Sequence, residues 1–299
     1  MRPLKVVSMF DGISCGMVAL ERAGIPVEVY KAYEIDGDAI QISKTNYPMI
    51  EHCGDVFKGD YTIYQGFDIL IGGSPCQWWS VSRGSNERET TSSGFGWELF
   101  SQYVRALNES KCPYFLYENN ESMSDDIKNE ITKSLGVEPI MIDSADFSAQ
   151  IRKRYYWTNI PVILDYIPST LVFKDIEYQE EHTIHSFEKY KNTLKVNEDN
   201  TVWKWDTSGK GYYSQQSRAR SKEVKMNTLP ASGTDKNNIY LGNYTYRKIH
   251  PIEAERLQTL PDNYTSCLNA TGKRIKACGN GWTVDVIVFL LKGLKDVIN

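Results

Sequence analysis

A cysteine on a constrained loop is the residue of this chain best placed for covalent chemistry. The segment Gly72-Gly73-Ser74-Pro75-Cys76-Gln77 follows a short apolar run, so it predicts a loop at the carboxyl end of a strand. A thiol held there can be exposed, and it ionises more readily where cations or backbone dipoles are near. Cys76 is therefore a candidate nucleophile, although burial as a structural residue is the more common fate of a free cysteine.

Two further segments carry polar groups suited to a ring-shaped substrate. Glu118 follows an apolar strand pattern, where a carboxyl group that stays partly protonated could donate to a ring nitrogen. Gln150, Arg152 and Arg154 alternate along the chain, so we expect them on one face of a strand. Two guanidinium groups on one face suit phosphate or carbonyl recognition. The plainer interpretation of Glu118 is an exposed carboxylate at a strand end. For the segment with the two arginines, it is a solvated outer strand.

A third group of residues predicts a nucleoside-binding site. Glycines in the segment from Phe10 to Gly16 would let the backbone approach a ligand between a first strand and a first helix. The segment is not G-x-G-x-x-G, so the case for a dinucleotide is weak. Glu34, after the second strand, is placed to accept ribose hydroxyls, and Asp55 could hold an adenine amino group. Each acidic residue alone is more often a helix cap or a solvated charge.

The elements that must position these residues alternate between strand and helix over the first 160 positions. This pattern predicts a parallel sheet covered on both faces, with ligands at the carboxyl ends of its strands. A helical pattern returns at Pro251–Leu257, and Gly281–Ile298 reads as a final amphipathic helix. Strands are predicted at Leu4–Met9, Val27–Tyr33, Phe67–Ile71 and Tyr114–Tyr117, and helices at Met17–Ala23, Asp36–Tyr47 and Trp97–Leu107.

The composition is that of a folded, globular chain. Of its 299 residues, 41% are hydrophobic and 24% are charged, which argues against global disorder. No apolar run approaches the ~18 residues of a membrane span, and the N-terminus lacks the pattern of a signal peptide. The six cysteines form no C-x-x-C pair, so we expect reduced, intracellular thiols. His182 and His185 have no cysteine or third histidine near them in the sequence, so we expect a solvated loop there and no metal site.

A segment of different character follows the alternating region. From about Leu171 to Tyr246 the chain is rich in Lys, Asn, Ser, Gly and isolated aromatic residues without a clear period, which predicts a separate, loop-rich small domain. Arg152 to Lys248 hold 16 Lys/Arg and 11 Asp/Glu, a net charge of +5 in a chain of net charge −4. Such asymmetry favours contact with a polyanion, although a solvated surface would also account for it.

Taken in order, these segments resemble the DNA (cytosine-5)-methyltransferase family. The resemblance covers about residues 4–160 and 246–290, and it is to compact bacterial or phage enzymes with some likeness to the animal de novo branch. Any single motif is weak, but seven in order leave little room for chance. The motifs are Phe10-Asp11-Gly12 with Gly16, Glu34 with Asp55, Pro75-Cys76-Gln77, Glu118-Asn119, Gln150-x-Arg152-x-Arg154, Arg247 with Glu253, Arg256, Gln258 and Leu260-Pro261, and Gly279-Asn280 opening the last helix.

The resemblance implies an α/β fold with two parts. A Rossmann-like S-adenosylmethionine-dependent methyltransferase domain would comprise residues 1–165 and 250–299, and a small loop-rich target-recognition domain would comprise residues 166–249. The cofactor would be S-adenosyl-L-methionine, with S-adenosyl-L-homocysteine as product. The residues implied to bind it are Phe10, Asp11, Gly12, Gly16, Glu34, Ile35, Asp55, Val56, Pro75, Leu99 and Asn280.

The resemblance also implies methyl transfer to carbon 5 of cytosine in a short specific sequence of double-stranded DNA. Attack by the Cys76 thiolate on carbon 6 would activate carbon 5, while Glu118 holds the ring nitrogen and the amino group. Arg154 would hold the carbonyl oxygen, with Arg152 in the same catalytic motif. The base must be flipped out of the duplex, which costs a few kcal/mol. The residues expected to contact DNA are Gln77, Trp78, Ser80, Ser82, Arg83, Gln215, Arg218, Arg220 and Lys222.

Departures from the family pattern leave alternatives open. Asn120 stands where valine is usual, and Trp78-Trp79 stand where smaller or single aromatic residues are commoner. The alternatives are a transfer RNA methyltransferase, which the basic segment disfavours, a silent regulatory subunit, which the presence of Cys76 and Glu118 disfavours, and an unrelated dehydrogenase. We expect a monomer acting on DNA in the cytoplasm of a bacterium or a phage-infected cell, with no membrane contact and with a cognate restriction endonuclease as a candidate partner.

Overall fold

The computed structural model describes residues 2–80, 88–230 and 237–298. Within these ranges, no helix is long and apolar enough to cross a membrane. The chain divides into two compact units. They differ from the predicted functional domains in the placing of residues 144–152, 166 and 250–283, and those domains stay a prediction. The first unit comprises Met1–Asp143, Lys153–Tyr166 and Val284–Asn299, and the second comprises Ser144–Arg152 and Ile167–Thr283.

A seven-stranded sheet forms the centre of the first unit, in the order β3-β2-β1-β4-β5-β7-β6. Strands β1 to β5 run parallel, whereas β7 is antiparallel to both β5 and β6. The wholly parallel sheet predicted from the sequence is therefore wrong at this edge, because the residues between β6 and β7 are too few for a helical crossover. The strands are β1 (Leu4–Met9), β2 (Val27–Tyr33), β3 (Glu51–His52), β4 (Ile69–Gly72), β5 (Tyr114–Asn120), β6 (Ile140–Asp143) and β7 (Lys153–Thr158).

The helices confirm most of the predicted positions and correct one. Instead of a single helix over Gly281–Ile298, two helices form there, and Gly293 lies between them. A β-carbon at Gly293 would lie 1.9 Å from the carbonyl oxygen of Pro161, so this close backbone approach requires glycine. The helices are α1 (Cys15–Arg22), α2 (Gly37–Asn46), α3 (Phe95–Ser110), α4 (Asp125–Leu135), α5 (Pro251–Leu257), α6 (Thr271–Asn280), α7 (Val284–Leu291) and α8 (Leu294–Val297).

The apolar core of the first unit holds neighbouring strand ends in place. All four residues of β4 are buried, as expected of a central strand covered on both faces. The fully buried Tyr103 of α3 donates its hydroxyl to the carbonyl oxygens of Leu70 (3.1 Å) and Leu116 (3.0 Å), on β4 and β5. Helix α3 is thereby fastened to the two strands from which the candidate catalytic residues extend.

The second unit contains a six-stranded sheet in a region for which the sequence predicted mainly loops. Its order is β8-β13-β12-β11-β10-β9, and only the β11–β12 pair is parallel among the strand pairs described. One face packs around Phe187 and Trp205, whose rings stack 4.4 Å apart. The strands are too short for a period of two to be evident in the sequence. They are β8 (His185–Ser186), β9 (Lys195–Val196), β10 (Val202–Lys204), β11 (Arg218–Ser221), β12 (Asn238–Gly242) and β13 (Thr245–Lys248).

Candidate active site

Cys76 lies just beyond the end of β4, where a short 3-10 helix begins. Its side chain is half-buried, and Pro75 before it is exposed. The carbonyl oxygen of Cys76 accepts hydrogen bonds from the backbone N–H groups of Trp79 (3.1 Å) and Ser80 (3.0 Å) and from Nδ2 of Asn120 (3.1 Å). Three donors therefore fix the peptide of the candidate nucleophile at the predicted edge of the sheet.

The carbonyl group of Ser74, two residues before Cys76, is held by a side chain on the opposite face of β5. Nδ2 of the buried Asn119 donates to the carbonyl oxygen of Ser74 (3.1 Å) and contacts the Tyr117 hydroxyl (3.1 Å). The hydroxyls of Ser74 and Tyr117 are 2.7 Å apart. From the sequence, Asn119 is placed only within the Glu118-Asn119 motif. The alternation of side chains along a strand, which separates it from Glu118, is the signal that could have shown its distinct role.

Glu118 and Arg154 form an ion pair between β5 and β7. Nε of Arg154 lies 2.8 Å from Oε1 of Glu118, and each side chain is 11% exposed. The strands are antiparallel, with Asn120 directly opposite Arg154 and Glu118 opposite Tyr156. The three polar side chains therefore share one face of the sheet. Two of the four predicted catalytic residues are thus in contact, and Asn120 connects their strand to Cys76.

Gln150 and Arg152 do not share a strand face with Arg154, so that prediction is wrong. Strand β7 begins one residue after Arg152, and Gln150 forms an isolated parallel bridge with Met226 in the second unit. The backbone around Gln150 thus pairs with the segment at Met226, and pairing with β5 and β6 begins only at Lys153. The guanidinium of Arg152, which is 5% exposed, donates to the carbonyl oxygens of Gly279 (3.3 Å) and Gly281 (3.1 Å). These bonds hold the end of α6; a catalytic part for Arg152 stays a prediction.

The loop between β1 and α1 has an unusual backbone. Phe10, Gly12 and Ser14 all have positive φ angles, of 55°, 59° and 61°. A bulky residue such as phenylalanine rarely adopts this conformation, and such outliers concentrate at functional sites. Asp11 supports the turn by accepting hydrogen bonds from the hydroxyls of Ser14 (2.5 Å) and Tyr30 (2.7 Å). Burial raises the pKa of Asp11 to about 6, against the opposing effect of these donors.

Glu34 joins this loop to the end of β2. Its Oε2 accepts from the N–H of Gly12 (2.8 Å), and its Oε1 accepts from the N–H groups of Ile35 and Asp36 (2.8 Å each). The side chain of Ile35 is 75% exposed. An exposed apolar side chain next to a fixed carboxylate suits a ligand that combines an aromatic ring with hydroxyl groups. These residues therefore fit a nucleoside such as the adenosine of S-adenosylmethionine.

Asp55 acts as a helix cap, which was the alternative reading of this residue. Its Oδ1 accepts from the N–H of Phe57 (3.0 Å), at the start of the 3-10 helix Val56–Lys58. A cap of this kind uses one carboxylate oxygen and leaves the other for a ligand.

Asn280 closes α6 instead of opening the last helix, so its predicted placement is wrong. Of the remaining predicted cofactor residues, Gly16, Val56 and Leu99 are buried in the first unit, and Asn280 belongs to the second.

The residues after Cys76 divide into exposed and anchored positions. Gln77 is exposed and Ser80 is half-buried, whereas Trp79 is fully buried in the core. Trp78 packs edge-on against Phe95, with ring centroids 5.6 Å apart. Trp79 therefore anchors this segment by packing, which was one of the two interpretations open for Trp78-Trp79. Two predicted DNA contacts, Ser82 and Arg83, lie outside the described residues.

Four of the residues expected to contact DNA lie on or near β11 in the second unit. Nη2 of Arg218 donates to the carbonyl oxygen of Tyr213 (2.9 Å), and Nη1 of Arg220 donates to Oδ1 of Asn227 (2.7 Å). Both arginines line a cavity of about 330 Å³. Lys222 pairs with Glu177 at 3.2 Å, and Gln215 begins a 3-10 turn before the strand. The two arginines are thus together at a polar cavity, while Lys222 is engaged in an ion pair.

No cluster of three or more His, Cys, Asp or Glu side chains that could hold a metal ion occurs in the part of the chain that the structure describes.

The chain is similar to proteins of known family and structure. A family model described as C-5 cytosine-specific DNA methylase matches residues 4–161 and 158–296. The orphan methyltransferase M.SPRI of Bacillus phage SPR is 36% identical over 121 residues, which are 40% of this chain but only 27% of that protein. The type II methyltransferase M.NgoPII of Neisseria gonorrhoeae is 25% identical over 99% of this chain and 96% of its own. The crystal structure of the S. pombe Dnmt2 methyltransferase superposes with a TM-score of 0.69 over the whole of both chains, at 15% identity.

Proposed function

The chain belongs to the C-5 cytosine-specific DNA methylase family, and from this premise we propose that it transfers a methyl group to carbon 5 of cytosine in double-stranded DNA. One observation carries the proposal: Asn120 bonds the carbonyl of Cys76 on the same strand face as the Glu118–Arg154 pair. A thiol, a carboxylate and a guanidinium are thereby gathered at one edge of one sheet. Each matches a need of this reaction.

Cys76 supplies the nucleophile. Carbon 5 of cytosine is a poor nucleophile while the ring is aromatic. Addition of the Cys76 thiolate to carbon 6 forms a carbon–sulfur bond and moves electron density to carbon 5, which can then attack a methyl donor. Formation of the bond between carbon 5 and the methyl group would break the methyl–sulfur bond of the donor and leave S-adenosyl-L-homocysteine. Solvent water then takes the proton from carbon 5, and breakage of the carbon–sulfur bond to Cys76 restores the ring double bond and frees the enzyme. The hydrogen bonds to the Cys76 carbonyl support this role because they fix the approach of the sulfur.

Glu118 and Arg154 hold the ring during that addition. The carboxyl group of Glu118 can bond the ring nitrogen and the exocyclic amino group, and the guanidinium of Arg154 can donate to the carbonyl oxygen. Because the pair is largely buried, these contacts act in a medium of low dielectric constant, where they stabilise developing charge more than in water. The base must reach this pocket by leaving the duplex.

The loop from Phe10 to Gly16, with Glu34 and Ile35, is proposed to bind S-adenosyl-L-methionine. When bound, the cofactor supplies an electrophilic methyl group. The carboxylate of Glu34, fixed by the N–H of Gly12, would accept hydrogen bonds from the ribose hydroxyls, the exposed Ile35 would cover the adenine, and the free oxygen of Asp55 would accept from the adenine amino group. The positive φ angles at Phe10 and Gly12 support this proposal, because they turn the backbone of the loop where β1 ends.

Sequence recognition is proposed to lie in residues 166–249, with Arg218 and Arg220 reading base edges. Arginine recognises guanine in the major groove through paired donors, and the Nε atoms of both side chains are buried without a hydrogen-bond partner among the described residues. These guanidinium groups keep donors for a ligand. Action as a monomer in the cytoplasm and a cognate restriction endonuclease stay predictions.

A methylation map in a host without cytosine methylation tests the proposal. Wild type, Cys76→Ala and Cys267→Ala are expressed in parallel, and 5-methylcytosine is mapped base by base in total DNA and RNA. We expect methylation at one short DNA motif from wild type and from Cys267→Ala, and none from Cys76→Ala. Marks confined to transfer RNA would move the substrate to RNA. Marks that persist in Cys76→Ala would refute the covalent mechanism.

A further inference from the structure

Asn120 is a buried polar residue at a position where the family usually has valine. It ends β5, two residues after Glu118, so both side chains project from the same face of the sheet. It also stands directly opposite Arg154 in the ladder between β5 and β7. Asn120 therefore lies between the nucleophile and the pair of residues that would hold the base.

The two ends of the Asn120 amide are in different situations. Nδ2 donates to the carbonyl oxygen of Cys76 at 3.1 Å. Oδ1 is buried and has no hydrogen-bond donor among the residues that the structure describes. The residue as a whole is 3% exposed. One end of the amide is thus used to hold Cys76, and the other remains an unsatisfied acceptor.

This arrangement is unfavourable for stability alone. A buried carbonyl oxygen without a donor loses its hydration and receives nothing in exchange. Valine has nearly the same volume as asparagine, and it would fill the space with no polar atom to satisfy. Among the described residues, the cost of the unpaired Oδ1 offsets the hydrogen bond made by Nδ2, so fold stability favours asparagine little over valine, whereas the bond to the Cys76 carbonyl gives a catalytic reason for it.

We propose that Asn120 is a positioning residue for Cys76, and this inference rests on the proposed function. The amide ties the peptide of the nucleophile to the strand that carries Glu118, so the sulfur and the base-holding carboxylate keep a constant separation. Valine at this position makes no such bond. This enzyme therefore uses an amide side chain to restrain a peptide that a valine residue would leave to other contacts.

The test separates positioning from folding by measuring both on the same proteins. Asn120→Val removes the donor at nearly constant volume, and Asn120→Ala provides a second variant if valine packs poorly. Asn159→Val is the matched control, because Nδ2 of Asn159 also donates to a backbone carbonyl, that of Pro113 (2.8 Å), beside the opposite end of β5. Each protein is assayed in single turnover at saturating cofactor and DNA, for covalent trapping on DNA containing 5-fluorocytosine, for cofactor affinity and for melting temperature.

We expect Asn120→Val to slow single turnover and covalent trapping by about 10- to 100-fold, since a small misplacement of a reacting group costs this much. Its cofactor affinity should be unchanged and its melting temperature equal to or above that of the wild type. Asn159→Val should melt earlier and react at the wild-type rate. A rate for Asn120→Val within twofold of wild type, or a slower rate matched by a lower melting temperature, overturns the inference. An inactive wild type would instead refute the proposed function.

Discussion

Breaking the Glu118–Arg154 pair should destabilise the fold by more than the loss of one contact. At 2.8 Å, two unit charges attract by about 6 kcal/mol at an effective dielectric constant of about 20, and desolvation offsets part of this. Removing one partner leaves the other charge buried and unpaired, which costs about 3–5 kcal/mol. Because each side chain is only 11% exposed, we expect Arg154→Met and Glu118→Gln each to cost about 3 kcal/mol.

A double-mutant cycle measures the coupling free energy between Glu118 and Arg154 directly. Urea unfolding of wild type, the two single variants and the double variant gives the coupling free energy. We expect the double variant to be only slightly less stable than either single one, which corresponds to a coupling of about 2–3 kcal/mol. The exposed pair of Asp125 and Lys128 on α4 provides a control cycle, in which no coupling should be measurable. Additive losses at Glu118 and Arg154, within about 0.5 kcal/mol, would refute the reasoning.

Further predictions concern the loops on either side of the sheet edge. The raised pKa of Asp11, about 6, means that its carboxyl group binds a proton more tightly folded than unfolded, so its contribution to stability falls as pH rises from about 4 to 7. Measured by urea, the free energy of unfolding should fall by about 2 kcal/mol more for wild type than for Asp11→Asn over this pH range. Equal falls in the two proteins would contradict this prediction. Gly72→Ala should unfold the first unit at a lower temperature by circular dichroism, since its β-carbon would lie 2.6 Å from the Met9 carbonyl oxygen; unchanged melting would exclude that close approach. Trp79→Ala should cost about 3–5 kcal/mol in urea, and Trp79→Phe less than about 1.5, because the indole is fully buried; equal losses would show that packing volume is not the cause.

Local patterns in the sequence were enough to predict much of the fold. The apolar runs of β1, β2 and β4 and the capped pattern of α2 were predicted within a few residues, because each depends on neighbours in the chain. The loop carrying Cys76 was placed at the end of a strand for the same reason. The short strands of the second unit were missed, since two to five residues are too few to establish a period.

Local sequence patterns are sufficient to identify the residue types for the chemistry and the strand ends from which they extend. Which of these residues meet depends on the packing of distant segments. Arg154 reaches Glu118 through the antiparallel register of β5 and β7, while Arg152, two residues earlier, turns to the end of α6. The bond from Asn120 to Cys76 joins residues 44 positions apart. Such contacts depend on how separate strands align and on how closely backbones approach, and those quantities are set by packing across the whole unit rather than by neighbours in the chain.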